Sequence, residues 1–79
     1  MLTLSCRFTL ADGSSESIAM TVRDSTRSPS GDYACPVSLD GQEHHIVGTD
    51  PLNAIANAVG FLRTFLEGKG VDLSIADWG

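Results

Sequence analysis

The stretch LTLSCRFTLADGSSESIAMTV, Leu2 to Val22, decides the fold. Leu2, Leu4, Cys6, Phe8 and Leu10 alternate with Thr3, Ser5, Arg7 and Thr9, and a period of two sustained this long marks a half-buried strand. Ile18, Met20 and Val22 repeat the signal, alternating with Ala19, Thr21 and Arg23. The loop between the two strands sets their register. A two-residue Asp12-Gly13 turn would put Ile18 opposite Arg7, on the wrong face. A three-residue loop, Ala11-Asp12-Gly13, pairs Cys6 with Ile18, Leu4 with Met20 and Leu2 with Val22. It also sets Gly13 where this loop type needs a left-handed residue. The three-residue loop is the consistent choice.

Outward from that hairpin, Asp24 to Gly31 holds no apolar residue and carries Ser, Pro and Gly, which reads as a surface loop. Tyr33, Cys35, Val37 and Leu39 form a third alternating strand. Asp40-Gly41 is a two-residue hairpin turn that pairs Leu39 with Gln42, Val37 with His44 and Cys35 with Ile46. Pro36 has no N–H, and in this register its nitrogen points away from the fourth strand. The third strand is therefore expected to carry a bulge, or to lack a tight partner, near Pro36. Asp50-Pro51 announces a helix, with Asp50 as N-cap and Pro51 in the first turn, ending at Gly68 or Gly70.

The expected fold is α+β: a four-stranded antiparallel sheet in ββββα order with one helix on one face. The strands fall at about 2–10, 17–23, 32–39 and 42–47, the helix at about 51–67 and a tail at 71–79. The helix bears two apolar stripes, Leu52, Ile55, Ala56, Val59, Leu62 and Leu66, then Ala54, Ala58, Phe61 and Phe65. One sheet face needs only one of them. The first stripe is expected to pack, through Val59, Leu62 and Leu66, on Leu4, Phe8, Met20, Val37 and Ile46. The second then needs a cover. Val71, Leu73 and Ile75 alternate like a short C-terminal strand, and this tail with Trp78 supplies one. A weak homodimer through Phe61 and Phe65 is the other, and the tethered tail favours a monomer.

Seventy-nine residues make one domain. A chain of this size buries only about 60% of its unfolded surface, so any enclosed cleft is small. Ten acidic residues against five basic ones give a formal charge of −5. That field opposes direct binding to nucleic acid, where Lys and Arg must neutralise phosphates, and favours a basic protein partner. Acidity of this kind also serves solubility. No signal peptide or membrane span is visible, and two cysteines without CxxC spacing fit reduced thiols in the cytoplasm.

No catalytic, cofactor-binding or metal site emerges. His44 and His45 are adjacent on a strand and point to opposite faces, so they cannot share a metal. His44 is expected at the core border and His45 in solvent. Cys6 and Cys35 fall on the inward parity and read as packing residues. Ser14, Ser15 and Ser17 lie in no nucleophile motif, and the glycines form no phosphate loop. What remains is a distribution of charge. Asp12, Glu16, Asp24, Asp32, Asp40 and Glu43 fall in turns or at strand ends and should ring the sheet. Its outward face carries Thr3, Ser5, Arg7, Thr9, Ala19, Thr21, Ala34 and Ser38. Such a face with an acidic rim suits docking on a basic protein groove, and equally suits an ordinary solvated sheet.

Two resemblances follow. Tyr33-Ala34-Cys35 with Val37, and Gly48-Thr49-Asp50 running into Leu52, Ala54 and Ile55, are similar to a family of short uncharacterised bacterial domains. The size, the acidity and the four-strand-plus-helix layout resemble phage-encoded anti-CRISPR proteins, notably type I inhibitors. That second resemblance implies a non-enzymatic, stoichiometric inhibitor that keeps a CRISPR surveillance complex from its target DNA. The partner would be a basic nucleic-acid-binding protein surface, with no cofactor and no membrane. It assigns no residues. A bacterial accessory or immunity-type domain with another protein partner is the alternative.

Overall fold

The computed structural model describes residues 1–78. The order is β1 (Leu2–Thr9), β2 (Ser15–Val22), β3 (Thr26–Arg27), β4 (Tyr33–Leu39), β5 (Gln42–Gly48), α1 (Pro51–Gly68) and β6 (Asp77–Trp78). It is an α+β fold with one antiparallel sheet and one helix, but the sheet has six strands rather than four. The additions are two residues long. β3 lies inside the segment expected to be pure loop. The C-terminal strand falls at Asp77–Trp78, whereas Val71 to Ile75, expected to form it, is loop and turn. Two-residue strands exist only by virtue of a partner and have no periodicity to read.

β1 and β2 pair Leu2 with Val22, Leu4 with Met20 and Cys6 with Ile18, the register of the three-residue loop. Gly13 has φ 87°, and Leu10 N–H donates to Ser14 O at 2.7 Å to close the loop. β4 and β5 pair Leu39 with Gln42 through Cys35 with Ile46, across Asp40 at φ 53° and Gly41 at φ 86°. Left-handed backbone at both central positions is what a type I′ turn requires.

β4 meets β5 along one edge; along the other it meets β2 through Val37–Leu39 and β3 through Tyr33–Ala34. Pro36 sits where β2 gives way to β3. Arg23 N–H donates to Pro36 O at 2.9 Å, but the proline has no N–H to return to Arg23 O. The Cys35 thiol donates to that carbonyl instead, with Sγ 3.2 Å from the oxygen. The cysteine thus repairs the ladder that its neighbour breaks.

The helix begins as its sequence requires. Asn53 N–H donates to the Asp50 carboxylate at 2.8 Å and Pro51 occupies the first turn. It ends in a Schellman motif: Gly70 is at φ 83°, its N–H donates to Glu67 O at 3.0 Å, and Val71 N–H donates to Leu66 O at 3.1 Å. Val71 and Leu66 are both buried, as that motif favours.

α1 lies over β4 and β5. Its buried residues are Ala54, Ala58, Leu62 and Leu66, with Phe61 and Phe65 half-buried against the same core. This corrects the face expected from the sequence. Leu62 and Leu66 do pack inward, but Val59 is 50% exposed and Leu52 79%. Phe61 and Phe65 need no cover from the tail or from a second subunit; Phe61 packs on His44, with ring centroids 5.1 Å apart. Close approach explains the choice. A Cβ on Gly48 would lie 2.3 Å from Ala54 N, so β5 and the first turns of the helix nearly touch. Only small residues fit there, and Ala54 and Ala58 are small where Ile55 and Val59 are not.

Two outcomes are expected. Leu62→Ala should lower stability by about 2–5 kcal/mol in denaturant melts, while Val59→Ala should change it by less than about 0.5 kcal/mol. In a double-mutant cycle, Cys35→Ala should be less damaging in a Pro36→Ala background, where a backbone N–H replaces the thiol. The coupling should be about 0.5–1 kcal/mol, and its absence would mean that the thiol contributes packing alone.

Candidate functional site

The outer face of the sheet is formed by alternate residues of the strands and faces away from α1. Thr3, Ser5, Arg7, Thr9 and Ala19 on it are exposed; Thr21, Ala34 and Ser38 are half-buried. Thr21 and Ser38 share a hydroxyl–hydroxyl hydrogen bond at 2.5 Å across β2 and β4. The surface is made largely of hydroxyls, because β-structure tolerates Thr and small residues where one side is solvated.

The six carboxylates expected around this face are all exposed, yet they do not form one ring. β2 runs antiparallel to β4, with Met20 paired to Leu39, so both hairpin turns point the same way. Asp40 N–H bonds Ala19 O at 3.0 Å, midway along β2. Asp12 and Glu16 therefore fall at one end of the molecule, and Asp40 faces the same way from midway along β2. Glu16 pairs with Phe8 and so carries the parity of the inner face, near the hairpin tip. Asp24 and Asp32 flank β3 at the other end, with Asp24 3.9 Å from the N-terminal ammonium of Met1. The Cα extents are 46 × 17 × 17 Å, so the two groups stand at opposite ends of a narrow body.

Glu43 belongs to neither end. It pairs with Ser38 from the edge strand β5, bridges Arg23 at 3.2 Å and lies 3.6 Å from His45 Nε2. It stands at a strand end, second in β5, and on the outer face it joins Arg23 and His45 in one charged row. Sequence separation hid this row, because it depends on β2 lying beside β4. His44 and His45 take opposite faces, His44 against Phe61 and His45 in solvent.

Asp12 accepts from both the Ser14 backbone N–H (2.9 Å) and the Ser14 hydroxyl (2.6 Å), and those bonds hold its carboxyl below the ordinary aspartate range. Asp72 is held low in the same way by Ser74, at 3.0 and 2.6 Å. Burial pushes both thiols, Cys6 and Cys35, up from their ordinary value, which suits packing rather than nucleophilic chemistry.

Two of the concavities bear on this question. One, about 500 Å³, lies between the β1–β2 hairpin and the tail, where Arg7, Asp72 and Asp77 converge; Asp72 is already engaged by Ser74. The other is a groove of about 340 Å³ between β1 and α1, lined by Leu2, Leu4, Val59, Leu66, Leu73 and Trp78. Among the described residues no three His, Cys, Asp or Glu side chains come together as a metal site, and no helix is long and apolar enough to cross a membrane. Compared with protein-family models, with curated proteins and with solved structures, the chain matches none.

The Asp12 turn gives a direct check. In an NMR titration Asp12 should protonate at lower pH than an ordinary aspartate, and Ser14→Ala should move it back up. A carboxyl with a depressed folded pKa stabilises above its unfolded pKa. That contribution is lost as pH falls through the folded value. The Ser14→Ala difference in melting temperature should therefore be full at neutral pH and vanish in acid.

Proposed function

We propose that this chain is a non-enzymatic protein-binding inhibitor of the anti-CRISPR type. In this reading it is phage-encoded and acts in the bacterial cytoplasm. It occupies the basic groove of a type I CRISPR surveillance complex and so excludes target DNA. The observation that carries the reading is the placement of exposed carboxylates at both ends of a 46 Å body whose net charge is −5. A duplex of that length spans roughly 13 base-pair rises at about 3.4 Å each, so the two ends can engage two well-separated basic positions of one DNA-binding channel. Opposed potentials steer encounter and set orientation.

A second reading, an accessory or immunity-type domain with another protein partner, is favoured by that same outer face. A surface of hydroxyls around the Arg23–Glu43–His45 row offers hydrogen bonds without demanding a highly basic partner.

The test is binding to a purified type I surveillance complex, with and without target DNA. Wild type should compete with DNA, and its affinity should fall as salt rises. The paired reversals Asp12→Lys with Glu16→Lys and Asp24→Lys with Asp32→Lys should remain folded, since exposed loop charges contribute little to stability. At least one should lose affinity by about 100-fold or more, because like charges across an interface are separated by several kcal/mol from opposite ones. Asp40→Lys with Glu43→Lys should have a smaller effect, since Arg23 already engages Glu43. Absence of any complex with wild type would sink the inhibitor reading. Binding that ignores all three reversals would sink the acidic mechanism and favour the outer face.

A further inference from the structure

α1 lies over β4 and β5, and the inner face of β1 and β2 beside it holds the groove of about 340 Å³. Leu2, Leu4 and Val22 line it from the sheet, Val59 and Arg63 from α1 and Trp78 from β6. The sheet edge beside that groove is open as well. Leu10 N–H bonds Ser14 O at the head of the first hairpin, and antiparallel bonding alternates from there. Leu2, Leu4, Cys6 and Phe8 therefore turn their backbone groups to β2. The N–H and C=O of Thr3, Ser5 and Arg7 point the other way. β6 takes Arg7, with Trp78 opposite Cys6. Among the described residues nothing pairs with Thr3 or Ser5 on that edge.

We propose that β1 from Leu2 to Ser5 is a docking edge for an extended peptide of a partner protein, which joins the sheet as an antiparallel strand in line with β6. Two independent features specify the same occupant. The open edge presents the N–H and C=O of Thr3 and of Ser5 at strand spacing, and an extended backbone satisfies all of them together. The groove then requires apolar side chains on every second residue of that backbone. A residue opposite Leu4 or Leu2 shares their parity and points to the groove. A residue opposite Ser5 or Thr3 points to the hydroxyls of the outer face.

Charge completes the description of the peptide. Arg63 is the one charged residue lining the groove; Glu67, exposed on the same helix, is not part of that lining. The peptide therefore carries a carboxylate beside its apolar residues, set against Arg63. β5, the other long edge strand, lacks these features. α1 packs on it, Asn57 Nδ2 donates to Val47 O at 3.0 Å, and its outer row bears the charges of Glu43 and His45, which discourage strand addition. The inference rests on β1 and its groove and not on the inhibitor reading.

The probe is the blocked peptide acetyl-Thr-Leu-Thr-Leu-Glu amide, its threonines opposite Ser5 and Thr3 and its leucines opposite Leu4 and Leu2. Trp78, the single tryptophan of the chain, reports binding by fluorescence. Wild type should bind saturably, with Trp78 emission shifted to shorter wavelength. N-methylation of the threonine amide opposite Thr3 removes an edge bond and should weaken binding by about 10-fold or more. N-methylation of either leucine amide, which faces away from β1, should change it far less. Thr3→Pro removes the edge donor and leaves every bond from β1 to β2 in place, so it should abolish binding while the chain still melts cooperatively. The methylated peptides carry the test if that variant does not fold. Arg63→Gln should weaken the glutamate peptide and leave its glutamine counterpart unchanged. Absence of saturable binding to wild type overturns the proposal. Equal effects of the two kinds of N-methylation overturn it too, because the groove would then take apolar side chains without strand pairing. A wild-type dimer that Thr3→Pro dissociates and the peptide does not would assign the edge to a second copy instead.

Discussion

β4 is the strand on which the sheet depends, and it contains a residue that ought to weaken it. It is hydrogen-bonded along both edges, to β5 on one side and to β2 and β3 on the other. A proline in such a position removes a ladder bond and leaves a carbonyl opposite without a donor. Two features contain the damage. The β5 edge is spared, because Pro36 faces His45 at a pair whose bonds point away from that partner. On the other edge the break falls at the junction of β2 and β3, where Cys35 reaches Arg23 O. The chain leaves β2 after this point, crosses to β3 and returns along β4, so the irregular pairing and the change of strand coincide.

The same pairing sets the shape. Because Met20 sits opposite Leu39, the β1–β2 hairpin overhangs the Asp40-Gly41 turn by several residues. The overhang carries Asp12 and Glu16 to one extremity, while β3 and its flanking Asp24 and Asp32 extend the other. The helix cannot cover so long a sheet from its seat on β4 and β5. The tail takes over beneath the overhang, where Val71 is buried and Leu73 and Ala76 pack on the core. The acidic ends, the open outer face and the bare helix stripe thus have one origin, a staggered sheet with a single helix at one side.

Both hairpin registers could be read from the sequence, because parity and turn chemistry had to agree. Gly13 and Asp40-Gly41 each permit only one loop type that leaves Cys6, Ile18, Cys35 and Val37 on one face. The face of the helix could not. Hydropathy weighs Ile55 and Val59 above Ala54 and Ala58, but packing selects by size where backbones nearly touch, and that contact is made by Gly48, distant from both in any periodicity. The candidate site was legible only as a set of exposed acids. Their division into two ends, and the pairing of Glu43 with Arg23, follow from which strands lie side by side, which no local pattern encodes.

The two cysteines, both 0% exposed, have a consequence for how the fold opens. Cys6 belongs to β1, which is held by β2 and by the two residues of β6; Cys35 belongs to β4, clasped between β5 and the break at Pro36. A thiol reagent can reach neither without some part of the sheet separating, so each thiol keeps a separate clock on its own region. If the molecule breathes as one body, both clocks run at the same rate. If the first hairpin swings away from the helix-backed half, Cys6 runs ahead, and the molecule divides along the β2–β4 seam, where three ladder pairs, flanked by the Arg23–Pro36 and Asp40–Ala19 bonds, join the halves.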